Sequence, residues 1–146
     1  MLFDLLATNA VDLQRLLEAG KISSVQIVLQ YLSQIERHDR KFRAFISVAP
    51  RQRLIDIASA RDEERRQGYS RGPFHGIPIV LKDGFMTASE LGMGTTAGAW
   101  ALVGATTNAD SAVAQRLLDQ GLIILGKTNM TVCSTALPRR KYQWLR

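Results

Sequence analysis

The chain has 146 residues, 46% of them hydrophobic and 22% charged, which suits one domain with a real core and excludes a disordered or fibrous chain. Its net charge is +6, but Lys127, Arg139, Arg140, Lys141 and Arg146 all follow the last acidic residue, Asp119, so the excess reads as a solvated basic tail and no nucleic-acid site is expected. Cys133 is the single cysteine and residues 1–6 carry Asp4 without a basic stretch, so no disulfide, leader or membrane span is expected and the chain reads as soluble and cytoplasmic.

In chain order, Thr8 is placed to cap a helix over residues 9–19, with Leu13, Leu16 and Leu17 on one face and Gly20 as its stop. Ser23 and Gln26 have the spacing of a capping box. Val25, Val28, Leu29, Leu32 and Ile35 follow at helical intervals, and the pattern fades near His38-Asp39. Residues 43–48 read as a strand interrupted by Pro50. Residues 51–67 read as a third helix, with Leu54, Ile57 and Ala58 inward and the mixed charges of 61–66 facing water. Residues 68–73 are punctuation.

The apolar run 77–81 predicts a strand buried on both faces, ending abruptly in Lys82-Asp83-Gly84. From Gly84 to Asp110 the chain is rich in Gly, Ala, Thr and Ser with little periodicity. That predicts a long, tightly held loop of the kind that carries function. Asp110 is placed to cap a helix over 111–120, with Val113, Ala114, Leu117 and Leu118 buried and Gly121 closing it. Residues 122–125 predict a second buried strand, followed by Gly126-Lys127-Thr128-Asn129. A strand, a crossover helix and a strand imply a parallel pair with a right-handed connection, so the class is α/β.

In open α/β sheets ligands gather at the carboxyl ends of strands, where Lys82 falls. A lysine emerging there at the edge of a desolvated core loses hydration of its charged form and can serve as a general base. The plainer alternative is a lysine paired with Asp83. Cys133 and Ser134 are the nearest candidate nucleophiles for His38 or His75, yet nothing in the sequence places either histidine near them. Ser89 has a weak claim, and Ser111 is better explained in the first turn of a helix. Gly92-Met93-Gly94 is not followed by the helix that a dinucleotide fingerprint needs, and no metal-ligand cluster is present, so neither cofactor nor metal is expected.

Three blocks narrow the choice: the run from Gly72 to Asp83, Gly72-Pro73-Phe74-His75-Gly76-Ile77-Pro78-Ile79-Val80-Leu81-Lys82-Asp83; then Gly94-Thr95-Thr96-Ala97-Gly98; then the run from Asp119 to Met130. In this order and spacing they resemble the amidase signature family, and the likeness covers most of residues 5–131. The resemblance implies a partial amidase-signature fold, amino-terminal helices followed by part of a mixed, largely parallel sheet. Residues 1–131 would be the amino-terminal portion of an amidase domain and 132–146 a basic tail outside it. In that family a serine attacks the amide carbonyl and a lysine acts as base through a second serine, so Lys82 would occupy the general-base position. The implied reaction is hydrolysis of a small-molecule carboxylic amide without a cofactor. The family's serines and glycine-rich oxyanion loop follow well after the segment matching 126–130, and residues 131–146 contain no glycine. No nucleophile is therefore expected in the chain, Lys82 would be vestigial, and the chain would be truncated and inactive. Two alternatives stand beside that reading: a non-catalytic module that binds another chain through an unsatisfied sheet edge, and a defective gene product.

Overall fold

Among the described residues, three of the four helices begin where a side chain can accept N–H groups that a first turn leaves free. The computed structural model describes residues 3–130. Helix α1 (Ala10–Glu18) is capped by Asn9, whose Oδ1 accepts from Asp12 N at 3.0 Å, so the cap lies one residue after the expected Thr8. Helix α2 (Ser24–Phe42) carries the expected capping box, with Gln26 N donating to Ser23 Oγ at 3.1 Å and Ser23 N to Gln26 Oε1 at 2.9 Å. The next free N–H groups, those of Ser24 and Val25, donate to the Asp62 carboxylate of the following helix at 2.8 and 3.2 Å. A carboxylate there also meets the positive end of the helix dipole.

Helix α2 outlasts its apolar pattern. His38 and Asp39 lie inside it, and it ends where Arg43 turns left-handed at φ 49°. Asp39 Oδ1 then accepts from Ala44 N and Phe45 N at 2.7 and 3.1 Å, folding the chain into strand β1 (Phe45–Val48). Helix α3 (Arg51–Arg66) starts after Pro50, which needs no partner for a missing N–H. Its charged end is not the water-facing surface expected. Arg61, Asp62, Glu64 and Arg65 are all partly buried and joined by ion pairs, Arg61–Glu64 at 2.9 Å and Arg65–Asp62 at 2.7 Å.

Strand β2 (Pro78–Lys82) leads into the long loop, which holds two short 3-10 turns at Ser89–Leu91 and Trp100–Leu102. Helix α4 (Ala112–Asp119) is capped by Ser111, not Asp110, whose carboxylate instead accepts from Ala88 N at 2.8 Å. Of its four residues expected in the core only Ala114 is buried; Leu117 and Leu118 are half-buried, and Val113 is 46% exposed. Strand β3 (Ile123–Thr128) runs three residues past the expected end.

The three strands form one mixed sheet in the order β1-β3-β2. The expected parallel pair is present: β3 lies parallel to β2 and antiparallel to β1. Ile123, Ile124 and Leu125 at its centre pack with Val28 and Leu32 of α2, Leu54 and Ala58 of α3, and Leu81 of β2. Leu91 and Met93 tuck the long loop against the same core. A second apolar cluster joins Phe3, Leu13 and Leu17 to Ile22, Ile27 and Ile77, which seats α1 against the start of α2 and the entry to β2. No helix among the described residues is long and apolar enough to cross a membrane.

Candidate active site

Parallel pairing sets Leu81 beside Lys127 and Lys82 beside Thr128 at the carboxyl ends of β2 and β3. Successive side chains on a strand point to opposite faces, so the two pairs lie on opposite sides of the sheet. Lys82 and Thr128 occupy the open side. Lys82 is exposed, and its Nζ donates to Asn129 O at 2.9 Å. Asn129 is itself tied to the turn between α2 and β1, its N donating to Ala44 O at 2.8 Å and its Nδ2 to Arg43 O. Thr128 Oγ1 donates to Leu81 O at 3.3 Å. Two expectations for Lys82 are thereby corrected. It stands at the edge of the core as expected, beside buried Leu81, but is exposed and not desolvated, and strand alternation sends Asp83 to the other face, so the two do not pair.

The covered side is polar beneath the loop. Asp83 is 1% exposed. Its Oδ2 accepts from Thr96 N at 3.1 Å and from Thr96 Oγ1 at 2.5 Å, while its backbone O accepts from Ala97 N at 3.3 Å. Lys127 has 0% exposure; its Nζ donates to Phe85 O at 2.5 Å and to Thr95 Oγ1 at 2.8 Å. Burial pulls the Lys127 ammonium below the ordinary lysine range, against the opposing fields of Asp83 and Asp110. Thr107 Oγ1 donates to Thr87 O at 2.5 Å and Ser111 N to Met86 O at 2.9 Å, which fastens the far end of the loop. The loop is thus tightly held, as its composition predicts.

Lys127 is the residue that sequence reasoning missed. Counting it with the tail charges overlooked that it belongs to a strand continuing past Leu125, inside the block that resembles the family.

The other sequence candidates are scattered. Ser111 Oγ accepts from Ala114 N at 3.4 Å as a helix cap, and Ser89 opens a 3-10 turn. His38 lies against Phe42, ring centroids 6.3 Å apart. Cys133 and Ser134 fall outside the described residues. Among the described residues no group of His, Cys, Asp and Glu is arranged to hold a metal ion.

His75 is buried in the ion-pair network at the end of α3, where its Nε2 donates to Arg61 O at 3.0 Å. Gly121 makes room for the ring: at φ +83 it takes a backbone shape that side chains resist, and an added Cβ would sit 2.4 Å from His75 Nδ1. Burial pushes the imidazole below its ordinary value of 6.5. Glu64, hydrogen-bonded by Arg71 and close to Arg61, is held below its ordinary 4.5. In both cases the unfolded chain binds more protons, so acid destabilises the fold. His75 contributes fully above pH 6.5 and loses its share as the pH falls toward its lowered folded value. Glu64 contributes fully above pH 4.5 and loses its share below that. Urea midpoints will therefore fall in order at about pH 8, about pH 5.5 and about pH 4, and Glu64→Gln will shrink the second drop more than the first.

Comparison with known proteins bears on this arrangement. A family model described as Amidase matches residues 26–137. A glutamyl-tRNA(Gln) amidotransferase subunit of Streptomyces coelicolor is 36% identical over 127 residues, covering 87% of this chain and 25% of that protein. The corresponding protein from Thermobifida fusca is 37% identical over 127 residues, again 87% of this chain and 25% of the relative. The X-ray structure of native peptide amidase from Stenotrophomonas maltophilia superposes with a TM-score of 0.79 at 40% identity, covering 86% of this chain and 25% of that one. The chain thus spans about a quarter of the length of these relatives.

Proposed function

This chain belongs to the amidase family, and we propose that it supplies the lysine-bearing part of a site that hydrolyses carboxylic amides. In this reading Lys82 takes a proton on the way to activating a serine that the 146 residues do not themselves provide. The amidase-like portion would end between residue 131, where the sequence motif stops, and residue 137, where the family match stops.

The observation that carries the reading is the placement of Lys82. It closes a strand at the carboxyl end of a parallel pair, on the open side of the sheet, inside the family-matched segment. A lysine acting as base must present a lone pair in one direction. After losing a proton, its amine can keep donating one N–H to Asn129 O, which leaves the lone pair aimed elsewhere. Amide cleavage also needs a nucleophile and N–H donors for the oxyanion. Ser111 is committed to capping its helix.

The polypeptide of these 146 residues is accordingly expected to show no turnover of a simple aryl amide above the buffer rate. Turnover that vanished on Lys82→Ala would place a working nucleophile within the chain and overturn that part of the proposal. The lysine itself is tested in a chimera in which residues 5–130 replace the matching segment of the Stenotrophomonas maltophilia peptide amidase. A folded chimera without activity would count against the amide-hydrolysing reading as a whole.

A second reading is favoured by one feature. With β3 between β1 and β2, the outer edge of β2 has no neighbouring strand among the described residues, and Val80 on it is 43% exposed. Such an edge can accept a strand from another polypeptide. Under this reading the chain works as part of a larger assembly, and it would purify from its native source with a stoichiometric partner.

A further inference from the structure

Lysine is rarely enclosed completely, because its ammonium group is strongly hydrated and loses that hydration on burial. Lys127 is enclosed completely, on the central strand of the sheet. No carboxylate among the described residues comes within ion-pair distance of it; its acceptors are a carbonyl and a hydroxyl. A methionine would fill nearly the same volume without the desolvation cost. The charge therefore needs a reason other than packing.

The two acceptors supply it. Phe85 and Thr95 lie at opposite ends of the first half of the long loop, and Lys127 Nζ joins them. The next residue, Thr96, is bonded through both its N and its Oγ1 to Asp83, which directly follows Lys82. Asp83 N in turn donates to Thr128 O at 3.1 Å, beside Lys127 on β3. The connections close a ring from Lys127 through Thr95, Thr96 and Asp83 back to β3. Next to that ring Ala97, whose N donates to Asp83 O, is held at φ 48°, a left-handed conformation that a residue with a side chain keeps only when its surroundings enforce it.

We propose that Lys127 is a positioning residue, an ammonium clasp that fixes the loop after β2 and thereby the backbone carrying Lys82. The clasp itself stands on the geometry alone; its service to catalysis rests on the amide-hydrolase reading given above. The charged groups that face Lys127 are Asp83 from the end of β2 and Asp110 from the far end of the loop, both acidic. They favour the ammonium form against the effect of burial, and a charged donor holds the two acceptors more strongly than a neutral amine with its two N–H groups would.

The test uses the 146-residue chain, wild type and Lys127→Met, with three measurements: urea midpoint, amide exchange residue by residue, and the ε-methylene NMR signal of Lys82. In Lys127→Met, exchange protection of the amides of Thr96, Ala97 and Gly98 is expected to fall about tenfold or more, since the Phe85 carbonyl and Thr95 hydroxyl lose their buried donor. The amides of Ile123 and Ile124 and the urea midpoint are expected to hold or rise, and the Lys82 signal to move. Retained loop protection in Lys127→Met would overturn the clasp, as would loop and β3 protection falling together with the midpoint, which is what a packing residue would give. If Lys127→Met does not fold, Thr95→Val decides, because it removes the hydroxyl acceptor of the clasp; unchanged protection of the Thr96, Ala97 and Gly98 amides in that variant overturns the proposal. None of these measurements involves amide turnover, so an inactive chimera would remove the hydrolase reading and leave this result standing.

Discussion

Gly126→Ala will lower the unfolding free energy by about 3 kcal/mol or more, read as a fall in the urea midpoint. Gly126 lies in β3 opposite Val48 of β1 and Val80 of β2. A Cβ added there would come within 2.6 Å of Ser47 O and 2.9 Å of Phe45 Cδ1. The ring of Phe45 can swing aside, but the Ser47 carbonyl belongs to the backbone of β1 and cannot retreat without opening the β1–β3 ladder. The register already shifts beside this point on both flanks, between Phe45 and Ser47 and between Ile79 and Val80. The neighbouring strands are thus arranged around a missing side chain. Gly94→Ala is the matched control, because nothing lies within 4 Å of the Cβ it would introduce. Equal midpoints for the two variants would show that β1 yields easily and that the close approach is not a constraint.

Lys82→Ala in the peptide amidase chimera will reduce kcat/KM by about 10²- to 10⁴-fold, the range over which a positioned proton acceptor contributes. The loss should fall mainly on kcat, because the base works on the nucleophile and not on substrate binding. Lys82→Arg should not restore the rate, since a guanidinium group keeps its proton at any working pH. The methylene stem and the positive charge are nearly conserved in that change, so failure of the arginine variant isolates proton transfer from electrostatic or packing effects. A chimera that kept its full rate without Lys82 would end the assignment of this residue as base.

Much of the architecture was legible because it depends on local pattern. The Ser23–Gln26 capping box, the alternation of apolar strand and crossover helix, and the glycines just past α1 and α4 all act over a few residues. What escaped were features decided at a distance. Asp62 serves the start of α2, Asp110 serves Ala88, and Arg71 serves Glu64. From sequence Asp62 is one charge in a run of mixed sign, Asp110 reads as a helix cap and Arg71 falls in punctuation, and each reading fails because the partner is remote. Lys127 failed for the same reason. Its burial follows from the loop that folds over it, and that loop has no periodicity to read. Lys82 was located at its strand end, but its surroundings were not. The alternation that buries Leu81 and Asp83 exposes Lys82 between them, and this could have been read from the strand's period of two.

The sheet order has a consequence for synthesis. Of the three strands β3 leaves the ribosome last, and it is the one that joins the other two; Phe45 finds its partner only at Thr128, and Pro78 only at Ile123. Until then β1 and β2 lack the strand that pairs with both, while α2 and α3, linked by Asp62, can already associate. Closing the sheet means bringing together segments far apart in the chain, the kind of contact that slows folding and leaves apolar strands uncovered while it is awaited. A nascent chain ending just short of Ile123 would therefore hold β1 between two associated helices and β2 after them, both unpaired, a natural client for a chaperone that recognises extended apolar segments.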